Sequence, residues 1–227
     1  MADWFDALPA GRLIAEFSLW SADLVRLADD LERIAPYADL LHVDVADGHF
    51  APALLYFPDL VTAVKKVSTV PVHVHLMCAD AILPTQIEHF AEAGADLISI
   101  HAENSNAAEM IELIRAKGLR SGLVLKVSTP VAAAAGLIGR TDMLTLLGTA
   151  IGVKGQGLDP TAFDRLGAAR AMVRGAGRRI VVAADGGIRE HTVPDLRRAG
   201  AETVVLGSLA FGAADLGDRM AWMRALG

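Results

Sequence analysis

Three stretches of this sequence carry side chains that bind metals and move protons. His42 and Asp44 are two residues apart, as are His73 and His75, and Met77 follows at the same spacing. Asp185 stands just before Gly186 and Gly187. In a β-strand, residues i and i+2 project to one face. If these stretches are strands, their ends offer two imidazoles and two carboxylates toward one point. Such a donor set suits one divalent transition metal, with zinc, iron, manganese and cobalt all compatible. A second group of residues suits an anion. Gly152-Val153-Lys154-Gly155-Gln156-Gly157, Gly186-Gly187 and Gly207-Ser208 are glycine-rich turns. Backbone N–H groups and a helix N-terminus bind a phosphate without net positive charge on the protein, and Lys154 adds a cation.

Residues so far apart in the chain need a scaffold that brings them together. The runs Leu13–Leu19, Leu40–Val45, Val72–Met77, Leu97–His101, Gly122–Leu125, Met143–Leu147, Ile180–Ala183 and Thr203–Leu206 are short and almost continuously apolar. Strands of a parallel sheet, buried on both faces, read this way. Helical spacing separates them, over Ala22–Ile34, Ile87–Ala93, Ala107–Lys117 and Ala162–Arg174. Gly94, Gly118 and Gly200 stand where a helix would end in a left-handed residue. Eight strand–helix units in this length predict an α/β fold, a TIM (β/α)8 barrel, whose chemistry sits at the C-terminal ends of the strands. A doubly wound sheet is the competitor, but Ser18–Asp23 is not the glycine-rich loop expected after its first strand. The barrel is assigned to residues 13–227. Residues 1–12, with Trp4, Phe5 and Leu8, form an N-terminal extension expected to cap the barrel or an interface.

Composition narrows the function. The chain has 227 residues, 53% of them hydrophobic and 21% charged, enough for one large core. A net charge of −6 argues against nucleic acid and anionic membranes as partners. The single cysteine, Cys78, excludes a disulfide framework and, without a membrane-length apolar run or signal segment, leads to the expectation of a cytoplasmic protein.

With these residues in view, the sequence resembles the ribulose-phosphate 3-epimerase family from about Ile14 to Phe211. The likeness is carried by Ser18-Leu19-Trp20-Ser21-Ala22-Asp23, by His42-Val43-Asp44-Val45-Ala46-Asp47-Gly48-His49-Phe50-Ala51-Pro52, and by Val74-His75-Leu76-Met77. Ala184-Asp185-Gly186-Gly187 and Leu206-Gly207-Ser208 follow in the same order. The resemblance implies a homo-oligomeric, metal-dependent epimerase of a phosphorylated ketose. Position by position, it implies His42, Asp44, His75 and Asp185 as metal ligands and Asp44 and Asp185 as the acid–base pair. Ser18, Met77 and Leu147 would line the reacting carbons. Gly152, Lys154, Gly155, Gly186, Gly187, Gly207 and Ser208 would hold the phosphate. Inverting C3 of a 2-ketose removes a proton beside a carbonyl and returns one to the other face. One base cannot reach both faces, so two carboxylates are needed, and a cation offsets the charge gathering on oxygen.

Several positions depart from the family pattern. Phe17 replaces a proline before Ser18, Ala46 replaces a methionine, and Leu147 takes the place of another. Ala53 replaces an asparagine and is followed by Leu54, Leu55 and Tyr56. His73 replaces what is often an acidic residue. The usual Pro-Gly-Phe-Gly-Gly-Gln loop reads Ile151-Gly152-Val153-Lys154-Gly155-Gln156. These changes spare the ligands and alter the pocket, so a tetrulose 4-phosphate or hexulose 6-phosphate stands as an alternative to D-ribulose 5-phosphate. A decarboxylase-type barrel would carry Asp-x-Lys-x-x-Asp, but Asp44-Val45-Ala46-Asp47 has no lysine in register. A non-catalytic barrel would have lost at least one of the four polar residues.

Overall fold

Val, Ile and Leu on both sides of a strand need apolar cover on both sides, and a closed parallel sheet ringed by helices supplies it. The computed structural model describes residues 3–226. Its strands are β1 (Ile14–Ser18), β2 (Leu40–Asp47), β3 (Leu54–Leu55), β4 (Val72–Met77), β5 (Leu97–His101), β6 (Arg120–Leu125), β7 (Met143–Leu147), β8 (Val181–Asp185) and β9 (Thr203–Leu206). All but β3 run parallel, in the order β1-β2-β4-β5-β6-β7-β8-β9, and β9 returns to β1. This is a TIM (β/α)8 barrel in a single domain. Closure excludes the doubly wound sheet, because β1 pairs with both β2 and β9. The two residues of β3 fold back antiparallel onto the end of β2, with Leu55 opposite Ala46.

Register aligns the polar positions. Ser18 pairs with His42, His42 with His73, Asp44 with His75, and Leu147 with Asp185. The inward alternation therefore stacks polar side chains at the same heights around the barrel.

The helices are α1 (Leu27–Ile34), α2 (Pro58–Val67), α3 (Leu83–Glu92), α4 (Ala107–Ala116), α5 (Ala162–Arg174), α6 (Val193–Ala199), α7 (Ser208–Phe211) and α8 (Leu216–Arg224). Two differ from the sequence expectation at their starts. The helix expected from Ala22 begins at Leu27, because Leu19–Ser21 form a 3-10 turn, Ala22 is extended, and the Asp23 carboxylate accepts from the N–H of Val25. The helix expected from Ile87 begins earlier, at Leu83, with Pro84 in its first turn, where a missing N–H costs nothing. Between β6 and β7 the crossover is two 3-10 turns, Val131–Ala134 and Ile138–Arg140. Pro130 opens this stretch, and Gly136 and Gly139 lower its helix propensity. Gly94, Gly118 and Gly200 have φ of 98°, 77° and 118°, as their helix-end positions require.

The lower end of the barrel is closed by residues that precede β1. Phe5 and Leu8 are buried against Ile14, Leu40, Leu97, Met143 and Val181, the first or near-first residues of five strands. Arg179 fastens this segment by donating to the Leu8 carbonyl at 2.9 Å. Met1 and Ala2, which belong to the expected extension, and Gly227 lie outside the described residues. Among the described residues that end is closed, and the upper end carries a cavity. Among the described residues, no helix is long and apolar enough to cross a membrane.

Candidate active site

Three strand ends converge inside the upper barrel. One ligand atom from each of His42, Asp44, His75 and Asp185 lies within 4.8 Å of the others. His42 Nε2 is 3.1 Å from Asp44 Oδ1. His75 Nδ1 is 3.3 Å from that same oxygen and 3.8 Å from Asp185 Oδ2. The Ser18 hydroxyl donates to Asp44 Oδ2 at 2.9 Å.

The protons on both imidazoles follow from their outer partners. Glu16 Oε1 is 2.7 Å from His42 Nδ1. A carboxylate only accepts, so Nδ1 carries a hydrogen, and in the neutral ring Nε2 presents a lone pair to Asp44. On the other side Glu103 Oε2 is 2.9 Å from His101 Nδ1, so that nitrogen donates. His101 Nε2 therefore accepts from His75 Nε2, 2.9 Å away. This leaves His75 Nδ1 bare, facing Asp44 and Asp185. Two lone pairs and two carboxylates would meet across a buried centre with nothing between them. Such a centre needs positive charge, either an extra proton or a cation, and two imidazoles with two carboxylates are the donor types of a divalent transition metal. The residues fit that group.

The shifts in acidity report the same demand. Burial opposes charge on Asp44, but His42 and His75 outweigh it and hold its carboxyl well below the usual range. Burial also opposes charge on His42, yet Asp44 and Glu16 hold its imidazole well above its ordinary value. Asp185 goes the other way. Burial, aided by the nearby charge of Asp44 and resisted by His42 and His75, pushes it up to about 6. Two neighbouring carboxylates thus have their protonation pushed apart, the arrangement of an acid beside a base.

Above the cluster opens a cavity of about 330 Å³. Ser18, Asp44, Met77, Leu147 and Asp185 line its floor, and Gly152, Lys154, Gly155, Gly186, Gly187, Gly207 and Ser208 line its wall. Every residue proposed from the sequence for substrate or phosphate faces this one space, while His42 and His75 lie fully behind it. The wall requires glycine at its tightest points. Gly186 and Gly187 have φ of 87° and 71°, and a Cβ on Gly187 would stand 2.7 Å from the Leu158 backbone. The loop 150–156 is tied by Gln156, whose Oε1 accepts from the N–H of Ala150 at 2.8 Å. Lys154 leans across the mouth, its ammonium 4.6 Å from the centre of the Trp20 ring and donating to the Trp20 carbonyl. Beside the floor, Met77 packs with Ala46 and Ala51, backed by Phe50, Leu55 and Ile151. The loop after β2 thereby packs over the short Ala46 side chain.

Asp47 is not part of the cluster. Its carboxylate accepts from the N–H groups of His49, Phe50 and Ala79, joining the loops after β2 and β4. His49 itself is exposed. Three contributors receive no role from the sequence. Glu16 lies inside an apolar run. His101 reads as a bland strand end, and Glu103 as a loop acid. The only available signal was alternation: Glu16 is two residues before Ser18 and so shares its inward face.

The profile of the ribulose-phosphate 3 epimerase family matches residues 14–211. The chain belongs to this family. It is 37% identical over 206 residues to ribulose-phosphate 3-epimerase 2 of Cupriavidus necator, covering 87% of this chain and 84% of that one. It is 33% identical over 201 residues to the ribulose-phosphate 3-epimerase of Bacillus subtilis, covering 87% and 92%. The Escherichia coli ribulose-phosphate 3-epimerase is 33% identical over 199 residues, covering 86% and 87%. Solved structures also share the barrel. A 3-hexulose-6-phosphate synthase from Salmonella typhimurium superposes with a TM-score of 0.69 at 16% identity, covering 94% of this chain and 98% of that one. Orotidine 5'-phosphate decarboxylase from Pyrococcus horikoshii gives 0.67 at 14%, covering 94% and 98%. At such identities the likeness is one of fold. Family membership makes the chain an isomerase of carbohydrate phosphates.

Proposed function

We propose that this chain is a metal-dependent 3-epimerase that interconverts D-ribulose 5-phosphate and D-xylulose 5-phosphate. The observation that carries this reading is the meeting of His42, Asp44, His75 and Asp185 at the floor of a cavity walled by glycine loops. Asp44 on β2 and Asp185 on β8 approach the floor from different sides of the barrel. One takes the proton from C3 and the other delivers a proton to the opposite face. The roles exchange in the reverse direction, and the two titrate as a pair. His42, Asp44, His75 and Asp185 would hold a divalent cation, which would supply Lewis-acid stabilisation of negative charge on the substrate oxygens. The hydroxyl of Ser18 holds Asp44 in place. Met77 and Leu147 keep water from the carbon that loses its proton, so the proton returns from a carboxylate.

The phosphate lies against the N–H groups of Gly186, Gly187, Gly207 and Ser208, with Gly152, Gly155 and Lys154 closing over it. Backbone dipoles of this kind overcome the repulsion of a chain with net charge −6. A second reading, a tetrulose 4-phosphate or hexulose 6-phosphate substrate, draws on the Lys154–Trp20 contact at the mouth and on Ala46 near the floor. Turnover of ketose phosphates of four, five and six carbons, followed by NMR of the epimeric products, separates the two. The five-carbon substrate is expected to give the highest kcat/KM, with Lys154→Ala lowering it mainly through KM. Preference for four or six carbons would support the second reading, and equal activity of Lys154→Ala at low substrate would remove the lysine from the phosphate site.

A further inference from the structure

Below the four-residue cluster lies a second polar layer that the proposed reaction does not use. Glu16 is fully buried, on the inward face of β1. A lone carboxylate there would be strongly disfavoured by the loss of its hydration, so its neighbours explain its presence. Its Oε1 accepts from His42 Nδ1 at 2.7 Å and from His73 Nδ1 at 2.5 Å. Its Oε2 is 3.3 Å from the Thr203 hydroxyl. His73 is itself held, because its Nε2 accepts from the Ser99 hydroxyl at 2.6 Å. Room for that hydroxyl exists because position 122 on β6 is glycine: a Cβ there would fall 1.9 Å from Ser99 Oγ. An unbroken chain thus runs from Ser99 through His73 and Glu16 to His42, across β5, β4, β1 and β2.

We propose that Glu16 is the positioning residue for the metal site. It holds the proton of His42 on Nδ1, fixes the ring plane, and so aims the Nε2 lone pair at the cation. Ser99 and His73 keep the Glu16 carboxylate from turning away. This inference rests on the reading of His42, Asp44, His75 and Asp185 as a metal site. An imidazole ligand whose outer nitrogen is bonded to a carboxylate is both oriented and made more basic, and loss of that partner typically costs about 10- to 100-fold in metal affinity or activity. Glu16 touches neither the cavity nor the ligand atoms, so its effect passes entirely through His42.

The test is cobalt(II) binding to the full chain, by competition with a chromophoric chelator, together with the visible spectrum of the cobalt form and the thermal midpoint. The unaltered protein is expected to bind one cobalt per chain. Glu16→Gln keeps the shape and removes the charge, and is expected to fold while weakening cobalt about 10- to 100-fold and shifting its absorption bands. Glu16→Asp keeps the charge and withdraws it by one methylene. It is expected to weaken cobalt in the same direction, and it decides the matter if Glu16→Gln does not fold. Unchanged affinity and spectrum in a folded variant, with or without a lower thermal midpoint, overturns the inference and makes Glu16 merely structural. Failure of the unaltered protein to bind cobalt overturns the metal reading itself, and this inference with it.

Discussion

Asp44 and Asp185 share a floor, yet their surroundings treat them differently. His42 and His75 hold Asp44 ionised, whereas burial raises Asp185 to about 6. If the two divide the proton transfers, neither replaces the other. Asp44→Asn and Asp185→Asn are each expected to lower kcat by about 100- to 10,000-fold, measured at saturating substrate on protein whose circular dichroism matches the parent. A variant that keeps more than about a tenth of the parent kcat would remove that carboxylate from the proton path, since a positioned acid or base contributes at least ~100-fold. Of the four converging residues, His42, Asp44 and His75 were legible because period-two spacing shows on a single strand, His42 with Asp44 and His75 with Met77, and Asp185 because it stands just before Gly186-Gly187. Glu16 and His101 were not. Their partners are 26 residues away for the contacts Glu16–His42 and His75–His101, and 57 for Glu16–His73. Those meetings are set by the lateral register of strands, which no local pattern encodes.

The strands were readable as elements, because the positions that face the helices stay apolar even where the inward ones are polar, as with Leu41, Val43 and Val45 around His42 and Asp44. The connections were less so. Eight strand–helix units would put a helix between β6 and β7, but Pro130, Gly136 and Gly139 leave only 3-10 turns. The turn after β8 shows how much one connection can matter. Gly187 combines φ of 71° with a Cβ position 2.7 Å from the Leu158 backbone, so a side chain there strains both the residue and the chain that packs against it. Gly187→Ala is expected to lose about 1–3 kcal/mol of stability by denaturant titration. It should also raise KM for the phosphorylated ketose, while KM for a phosphate-free ketose changes less. Equal changes in the two KM values would place the effect of this turn outside phosphate binding.

At the scale of the molecule, the two ends of the barrel have separate tasks. Phe5 plugs the lower end and the site opens at the upper end. Phe5→Ala is expected to cost about 3–5 kcal/mol, lowering Tm by roughly 2–4 °C per kcal/mol in a chain of this size. At 25 °C the fraction still folded should keep its kcat, and a fall in kcat at unchanged Tm would contradict this division. The reaction proposed for the upper end takes a proton from C3 of a ketose phosphate and returns one from a second carboxylate. Its most direct test is incubation of the metal-loaded protein with D-ribulose 5-phosphate in deuterated water, followed by NMR. Deuterium is expected at C3 of the D-xylulose 5-phosphate formed. Absence of deuterium at C3, with this substrate and with ketose phosphates of four and six carbons, would contradict it.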